Sequence, residues 1–245
     1  MTSFSETALH ALQLLIQQDP VLWSIVGRSL WVSVCATVLA CSLGIGLGAW
    51  LGVARFVGRD ALLTVLNTLL ALPSVVVGLL VYLLLSRTGP LGDWGWLFSL
   101  KAMVLAQTVL VLPVVTALTR QCVEDAERMH GEQLQSLGAQ PWLRSFLLAW
   151  DERYTLLTVL IAAFGRAVSE VGAVMVVGGN IEGFTRVMTT AIALETSKGD
   201  LPLALALGFV LMMVVLLLNM CISFLRRWRQ RVDGLSAEPA QGVMA

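Results

Sequence analysis

Two charged residues interrupt a long apolar run in the second half of the chain. Arg166 and Glu170 stand four positions apart in FGRAVSEVGAVMVVGG, a spacing that puts both on one face of a helix. A charge at membrane depth is expensive and normally faces a protein interior or a wet cavity. The pair is therefore either an internal salt bridge that fixes helix packing, or a cation, moderated by its neighbour, that lines an anion path. The second interpretation requires that the anion binds weakly to this cation, because an ion path conducts only if each bound ion can leave again. The residues that end this helix complete the candidate path: Gly178, Gly179 and Asn180.

The elements that must position this pair are predicted membrane spans. Of the 245 residues, 57% are hydrophobic and only 13% are charged, whereas soluble proteins carry roughly 25% charged residues. The mean hydropathy is +0.82. Five apolar runs approach the ~20 residues that a helix needs to cross a bilayer, and they lie at about 29–53, 62–86, 102–119, 156–178 and 202–225. We therefore expect one all-α membrane domain with five spans.

Lysine and arginine are distributed unequally between the two sides of these spans. Ten lie in the first and third loops and the C-terminal tail, and five lie in the N-terminal segment and the other loops. The positive-inside rule then predicts an external N-terminus and a cytoplasmic C-terminus. Residues 226–245 would form a basic cytoplasmic tail with a disordered end. Residues 1–26 would hold a short amphipathic helix, over 5–18, that lies along the membrane interface.

Glycine and proline mark the interior of three spans. Gly44, Gly48 and Gly52 recur every four residues. A nucleotide-binding glycine loop needs a strand before it and a helix after it, so we interpret these glycines as a close-packing face. Pro73 and Pro113 predict kinks in the second and third spans or, alternatively, freed carbonyls that line a path.

The sequence carries no pattern typical of an enzyme. G-x-x-x-x-G-K-[ST] does not occur, so ATP hydrolysis would belong to another subunit. The four cysteines form no CxxC pair and are interpreted as small buried hydrophobes, and neither histidine has a partner at metal spacing. We therefore expect no cofactor and no metal in this chain. The formal net charge of zero gives no argument for nucleic acid.

A polar, helix-breaking segment, GEQLQSLGAQPWLRSF, covers residues 131–146 between two spans. Gly138 is suited to end a helix that begins near Val123, because glycine adopts a positive φ without strain. Pro141 is suited to the first turn of a second helix. The topology puts this helix–turn–helix, about 123–148, in the cytoplasm. It is either inert packing or a docking element for a cytoplasmic partner.

The segment 181–201, between the last two spans, is not a plain linker. Its apolar core VMTTAIAL is too short to cross the bilayer. We expect a helix folded back on the bundle, which is either a packed interfacial helix or an outer gate and docking surface for a binding protein. The candidate residues are Thr185, Arg186, Thr189 and Thr190.

The motif E-Q-L-x-x-x-G at 132–138 resembles the E-A-A-x-x-x-G signature of permease subunits of ATP-binding-cassette importers, with Gln133 and Leu134 in place of the alanines. The resemblance implies the type I importer permease fold (MetI-like) over residues 27–225. It also implies that the segment forms coupling helices that sit in a groove of the ATPase subunit. The coupling residues would be Glu132, Gln133, Leu134, Gly138, Ala139 and Trp142.

Two longer stretches, NTLLALPSVVVGLLVYLLLSRTGPLG (67–92) and residues 164–200, resemble tungstate-uptake permeases, which are relatives of molybdate permeases. The resemblance implies a homodimer in a bacterial or archaeal cytoplasmic membrane. Its partners would be two ATPase subunits, which bind ATP and Mg, and an extracytoplasmic tungstate-binding protein. Molybdate or sulfate remains an alternative cargo, and an ion-coupled secondary transporter or channel is the alternative class.

Overall fold

The computed structural model describes residues 4–236, and the chain in that range is almost entirely helical. The helices are α1 (Phe4–Ile16), α2 (Pro20–Val53), α3 (Arg59–Leu70), α4 (Ser74–Leu85), α5 (Leu100–Ser136), α6 (Pro141–Asp151), α7 (Arg153–Val168), α8 (Gly172–Gly178), α9 (Met188–Lys198) and α10 (Leu201–Ser236), with one 3-10 turn at Gly92–Trp94. The prediction of an all-α protein is confirmed. The predicted disordered end of the tail, 237–245, lies outside the described residues.

Three of these helices are long and apolar enough to cross a membrane: α2, α5 and α10. Two bent pairs, α3–α4 and α7–α8, bring the number of candidate spans to at most five. At ~1.5 Å per residue α5 is about 55 Å long, well beyond the ~30 Å hydrocarbon thickness. It therefore continues past the predicted third run, because the polar residues after position 119 are good helix formers.

The predicted second and fourth spans are not continuous helices. The axes of α3 and α4 meet at 101°, and those of α7 and α8 at 57°. Pro73 lacks an N–H and its ring would clash with a carbonyl one turn earlier, so α3 ends at Leu70. The expected kink at Pro73 is thus a complete break. Pro113, by contrast, lies inside α5, which continues through it.

The two broken pairs pack against each other at their breaks. A Cβ added to Gly172 would lie 2.7 Å from Val75 Cγ2 and 2.8 Å from Ser74 Oγ. A Cβ added to Gly78 would lie 2.7 Å from the Cα of Ala173. Only residues without a side chain allow this approach. The close contact draws α8 onto α4 and away from the axis of α7.

The most extensive helix pair joins α2 and α5, which run in parallel. A Cβ on Gly44 would lie 2.9 Å from Val115 Cγ1, one on Gly48 would lie 2.6 Å from the carbonyl oxygen of Thr116, and one on Gly52 would lie 3.0 Å from Val123. All three glycines therefore face α5. The predicted close-packing role of these glycines is confirmed.

An ion cluster fixes the start of α3. Glu124 of α5 accepts from Arg59 Nη2 at 3.2 Å, from Arg128 at 3.3 Å and from Arg120, and Arg59 also donates to the carbonyl of Leu51 at the end of α2. The cluster lies beyond the apolar stretch 102–119 of α5. Burial of the Glu124 carboxyl raises its pKa, but the guanidiniums of Arg120, Arg59 and Arg128 lower the pKa by more, so it lies below its ordinary value.

Helices α1 and α9 pack on the first half of α10. Ala11, Met188 and Leu207, one from each helix, belong to a common buried cluster. The opposite face of α1 exposes Leu9, Leu12 and Ile16. This is the amphipathic helix that was predicted over 5–18.

Gly46 and Gly48 offer a matched test of the α2–α5 contact. Gly48→Ala should lower the free energy of unfolding by about 1–3 kcal/mol, because the added Cβ meets the backbone of α5. Gly46 has no atom within 4 Å of such a Cβ, so Gly46→Ala should be neutral or raise stability by up to ~1 kcal/mol. The measurement is the thermal unfolding midpoint of both variants in the same detergent. Equal midpoints would contradict the contact.

Candidate functional site

The turn between α5 and α6 has the geometry that its sequence predicts. Gly138 adopts φ +78°. The N–H of Ala139 donates to the carbonyl of Leu134 at 3.0 Å, and the N–H of Gly138 donates to Gln135 at 2.9 Å. Pro141 is the first residue of α6. This is a glycine-terminated helix followed by a proline-initiated one, and residues 123–151 are called the α5–α6 knob below.

The α5–α6 knob is held rigidly. Arg144 Nη1 of α6 pairs with Glu127 Oε1 of α5 at 3.4 Å, and both side chains are largely buried. A small apolar core lies beneath the pair and contains Ala49, Val53, Val123, Ala126 and Leu148. Because α2, α5 and α6 all contribute to this core, the knob moves with the two long helices rather than as a loose loop.

The outer face of the knob is unusually apolar. Of the six predicted coupling residues, Glu132, Gln133, Gly138 and Trp142 are exposed, whereas Leu134 and Ala139 are half-buried. Phe146, which the sequence places on the apolar side of α6, is exposed, and so are three apolar side chains that were not predicted: Met129, Leu137 and Trp150. The four are 63–81% exposed. A groove of about 540 Å³ between the end of α5 and α6 is lined by Leu137 and Trp150, whereas Phe146 lines a separate groove beside α7. Clustered exposed apolar side chains mark an interaction surface.

The predicted ion pair forms, but it spans a helix break. Arg166 Nη1 lies 2.9 Å from Glu170 Oε2. Helix α7 ends at Val168, so Glu170 lies between α7 and α8 rather than within one continuous helix, as had been expected. Its other oxygen, Oε1, accepts from the N–H of Ala173 at 3.3 Å. The carboxylate thus replaces a backbone acceptor that the break removes.

The two partners differ in exposure. The side chain of Glu170 is 5% exposed, whereas that of Arg166 is 46% exposed. Helix α4, which packs against the same break, also has an uncovered apolar face, consisting of Val75, Val76, Leu79, Leu80 and Leu83. The structure therefore presents a half-exposed cation on α7 and an uncovered apolar face on α4.

Two polar side chains that the sequence analysis did not connect with the break also hold it. Gln107 of α5 is buried, and its Nε2 donates to the carbonyl of Ala167 at 2.9 Å. Thr189 of α9 donates its hydroxyl to the carbonyl of Glu170 at 2.7 Å. A polar residue within an apolar span, such as Gln107, is the signal that could have indicated the first contact.

The remaining predicted path residues lie away from the ion pair. Gly178, Gly179 and Asn180 end α8, about 10 Å along the helix from the break. Gly179 and Asn180 adopt φ of +68° and +50°, which confirms the predicted helix end. Asn180 Nδ2 donates to the carbonyl of Thr190 at 3.2 Å, so it fastens α8 to α9.

The four candidate gate residues are buried in this structure. Thr185 donates to the carbonyl of Gly178 at 2.6 Å, and Thr190 donates to that of Val187. Arg186 lies between Glu182 and Glu195, at 3.6 and 3.5 Å. Contact with another protein would require these residues and Thr189 to become exposed. The exposed parts of the segment lie before them, at Ile181, Glu182 and Phe184, and after them, at 196–201.

Comparison with known proteins assigns the family. The family model described as "Binding-protein-dependent transport system inner membrane component" matches residues 44–231, which include both broken pairs and the knob. The chain belongs to this family. It is a multi-pass inner membrane protein and the permease of an ABC transport system, rather than the ATPase.

Curated relatives align along most of the permease. The "Tungstate uptake system permease protein TupB" of Peptoclostridium acidaminophilum is 40% identical over 222 residues, which cover 91% of this chain and 97% of the relative. The "Probable anion ABC transporter permease protein" of Haloferax volcanii is 39% identical over 216 residues, 86% and 92% of the two chains. The "Molybdenum transport system permease protein ModB" of Escherichia coli is 32% identical over 199 residues, 76% and 85% of the two chains.

Proposed function

We propose that this permease imports tungstate as a homodimer, together with two cytoplasmic ATPase subunits and an extracytoplasmic tungstate-binding protein. The cargo is supported by the relative named for tungstate uptake, which is 40% identical over 91% of the chain, against 32% for the molybdenum relative. ATP and Mg would be bound by the ATPase subunits.

The exposed guanidinium of Arg166 is the observation that carries the path. About half of this side chain is uncovered at a helix break within a candidate span. Lipid hydrocarbon cannot solvate a guanidinium, so this surface must face water or protein in the membrane. A cation beside a water-filled gap suits an oxyanion, and its partner Glu170 weakens the attraction enough for the anion to leave.

A second copy of the permease would complete this path. Homo-oligomers are most often two-fold symmetric, and a two-fold axis puts the same surface of both subunits in contact. If the two-fold axis ran beside the uncovered face of α4, the second subunit would cover Val75, Val76 and Leu79. The two Arg166 side chains would then lie on opposite sides of one gap. Each Arg166–Glu170 pair is formally neutral, so the two guanidiniums would offer hydrogen-bond donors to a tetrahedral dianion without a net charge that traps it.

The α5–α6 knob is the proposed docking surface for the ATPase subunit. Its exposed aromatic and aliphatic side chains, Leu137, Trp142, Phe146 and Trp150, are the kind of anchors that fill pockets at protein interfaces. The Arg144–Glu127 pair and the buried core beneath them pre-organise that surface. Movement of the ATPase would therefore reach α5 directly.

The proposed topology has five spans within a permease domain over residues 27–225, an external N-terminus and a cytoplasmic knob and tail. Support comes from the ten-to-five division of lysine and arginine. Exposed tryptophans add to it: Trp23, Trp31 and Trp94 lie toward the proposed outer side, and Trp50 lies near the inner end of α2. Aromatic residues favour both membrane interfaces.

Single cysteines test the topology and the docking surface together. In a cysteine-free chain, Gln135→Cys on the knob and Glu182→Cys before α9 should react with an impermeant thiol reagent from opposite sides of the membrane, because both side chains are exposed. Bound ATPase should protect Gln135→Cys and leave Glu182→Cys unchanged. Reaction of both from one side would refute the five-span topology. Unchanged reactivity of Gln135→Cys would refute docking at the knob.

Transport by the full complex tests the function. Vesicles that contain the permease, its ATPase and its binding protein should accumulate tungstate only with ATP, and molybdate and sulfate should compete less well than unlabelled tungstate. Uptake that persists without ATP and follows an ion gradient would move the protein to the secondary transporters. Stronger competition by molybdate or sulfate would reassign the cargo within the ABC class.

The ion pair at the break should have a role beyond packing. Glu170→Gln leaves an unpaired guanidinium, whose cost at a helix centre is roughly 2.5–3.5 kcal/mol; it should hold the anion too strongly or weaken the assembly. Arg166→Gln leaves the buried carboxylate of Glu170 without its guanidinium partner and should weaken the assembly. The double variant with both changes removes both unpaired charges, and it should assemble normally yet transport tungstate poorly.

Assembled complex and tungstate uptake are measured for the three variants and for Arg166→Lys, which keeps the charge. Arg166→Lys should retain more uptake than Arg166→Gln. If the double variant both assembles and transports at the wild-type rate, Arg166 serves packing alone, and the proposed path does not pass it.

A further inference from the structure

A second surface feature lies on the other side of the α2–α5 pair, away from both broken helices. It is an open groove of about 480 Å³ between the two helices. One wall consists of every fourth residue of α2 from Trp31 to Leu43. The other consists of residues in the first turns of α5, together with Trp96, which precedes that helix. The lining includes Trp31, Cys35, Leu39, Leu43, Trp96 and Lys101.

The groove walls are apolar along almost their whole length. The hydroxyl of Thr108, the one other polar side chain on the α5 wall besides Lys101, donates to the carbonyls of Val104 and Ala36. The α2 wall, from Trp31 to Leu43, carries no charged side chain, so this part of the groove is not a second route for the cargo. Its depth, within two candidate membrane spans, also removes it from water-soluble partners.

The groove has the dimensions of one lipid chain. From Trp31 to Leu43 α2 rises about 18 Å, slightly more than half of the ~30 Å hydrocarbon thickness. Over that length, 480 Å³ corresponds to a mean cross-section of about 27 Å², far below that of a helix, whose diameter with side chains is about 10–12 Å. The groove therefore fits a hydrocarbon chain along the membrane normal and does not admit a further helix.

One end of the groove carries a positive charge in an unfavourable place. Lys101 is the second residue of α5, where the helix dipole disfavours a cation. Its ammonium lies 5.6 Å from the ring centroid of Trp96, and no carboxylate in the described part of the chain pairs with it. Ser99 accepts from the N–H groups of Ala102 and Met103, so an anion at this point would interact with the ammonium and with the N–H groups of the first two residues of α5.

We propose that this groove binds an anionic phospholipid. The headgroup phosphate lies at Lys101 and the start of α5, and one acyl chain follows the stripe from Trp31 to Leu43. In the proposed topology Lys101 lies toward the outer side, so the lipid belongs to the outer leaflet. The occupant is independent of the transported anion, because its site lies on the face of α2–α5 away from the breaks.

Photo-labelling of the purified full-length permease tests the site. A phosphatidylglycerol that carries a diazirine in one acyl chain should label residues 31–43 and 96–108 preferentially, about five-fold more than the matching phosphatidylcholine probe, the factor expected for one basic residue near anionic lipid. Lys101→Gln should abolish this preference and Lys101→Arg should keep it. Lys198→Gln is the matched control, since Lys198 is the other lysine of the chain and pairs with Glu195; it should change nothing.

The wild-type labelling map decides the proposal even if a variant folds poorly. Label spread over α2, α4 and α10 in proportion to their exposed apolar surface would overturn it, and so would a headgroup preference that survives Lys101→Gln. A variant whose only cysteine is Cys35 tests whether a second copy of the permease covers the groove. Efficient oxidation to a disulfide-linked dimer would show that a second copy covers the groove in place of lipid, whereas a monomer after oxidation supports the proposal.

Discussion

The close approach of α2 and α5 is the constraint on which the rest of the structure depends. Three glycines at spacing four bring the two backbones together over more than two turns. Hydrophobic association gives little energy between helices in lipid, so packing at this distance must supply it. With α2 and α5 joined, their C-terminal ends carry the core of the knob and the Glu124 cluster, and their N-terminal parts enclose the lipid-sized groove.

The two broken helices, α3–α4 and α7–α8, contrast with the continuous helices α2 and α5. Their breaks remove backbone hydrogen bonds at membrane depth, where each unsatisfied group is costly. At the α7–α8 break the chain replaces these bonds with three side chains: Glu170 itself, Gln107 of α5 and Thr189 of α9.

Parts of this architecture were predictable because they depend on local chemistry. Gly138 and Pro141 define their turn by backbone preference alone, and the glycine repeat of α2 shows its packing face by spacing. The breaks were not predictable in the same way. Pro73 indicated a kink, but the 101° angle depends on the contact of α4 with α8, and nothing local in FGRAVSEVGA separates a continuous helix from one that ends at Val168. The exposure of Phe146 and Trp150, and the burial of Thr189, are likewise tertiary properties.

Helix α5 connects these two kinds of structure. It forms part of the knob at one end, and through Gln107 it holds the carbonyl of Ala167, the residue just after Arg166. If the knob moves, α5 moves with it, and one of the contacts of α5 with its neighbours must change. The glycine contact with α2 resists such a change, because a shift of a few tenths of an ångström already brings backbone atoms into collision. The α7–α8 break has no such backbone collision, and its carbonyls are held by the side-chain donors Gln107 and Thr189. Energetic coupling between two sites requires an element with two arrangements that both sites bias. Coupling of the knob to Arg166 would therefore need a second arrangement of this break, and α5 is the continuous helix that joins the two.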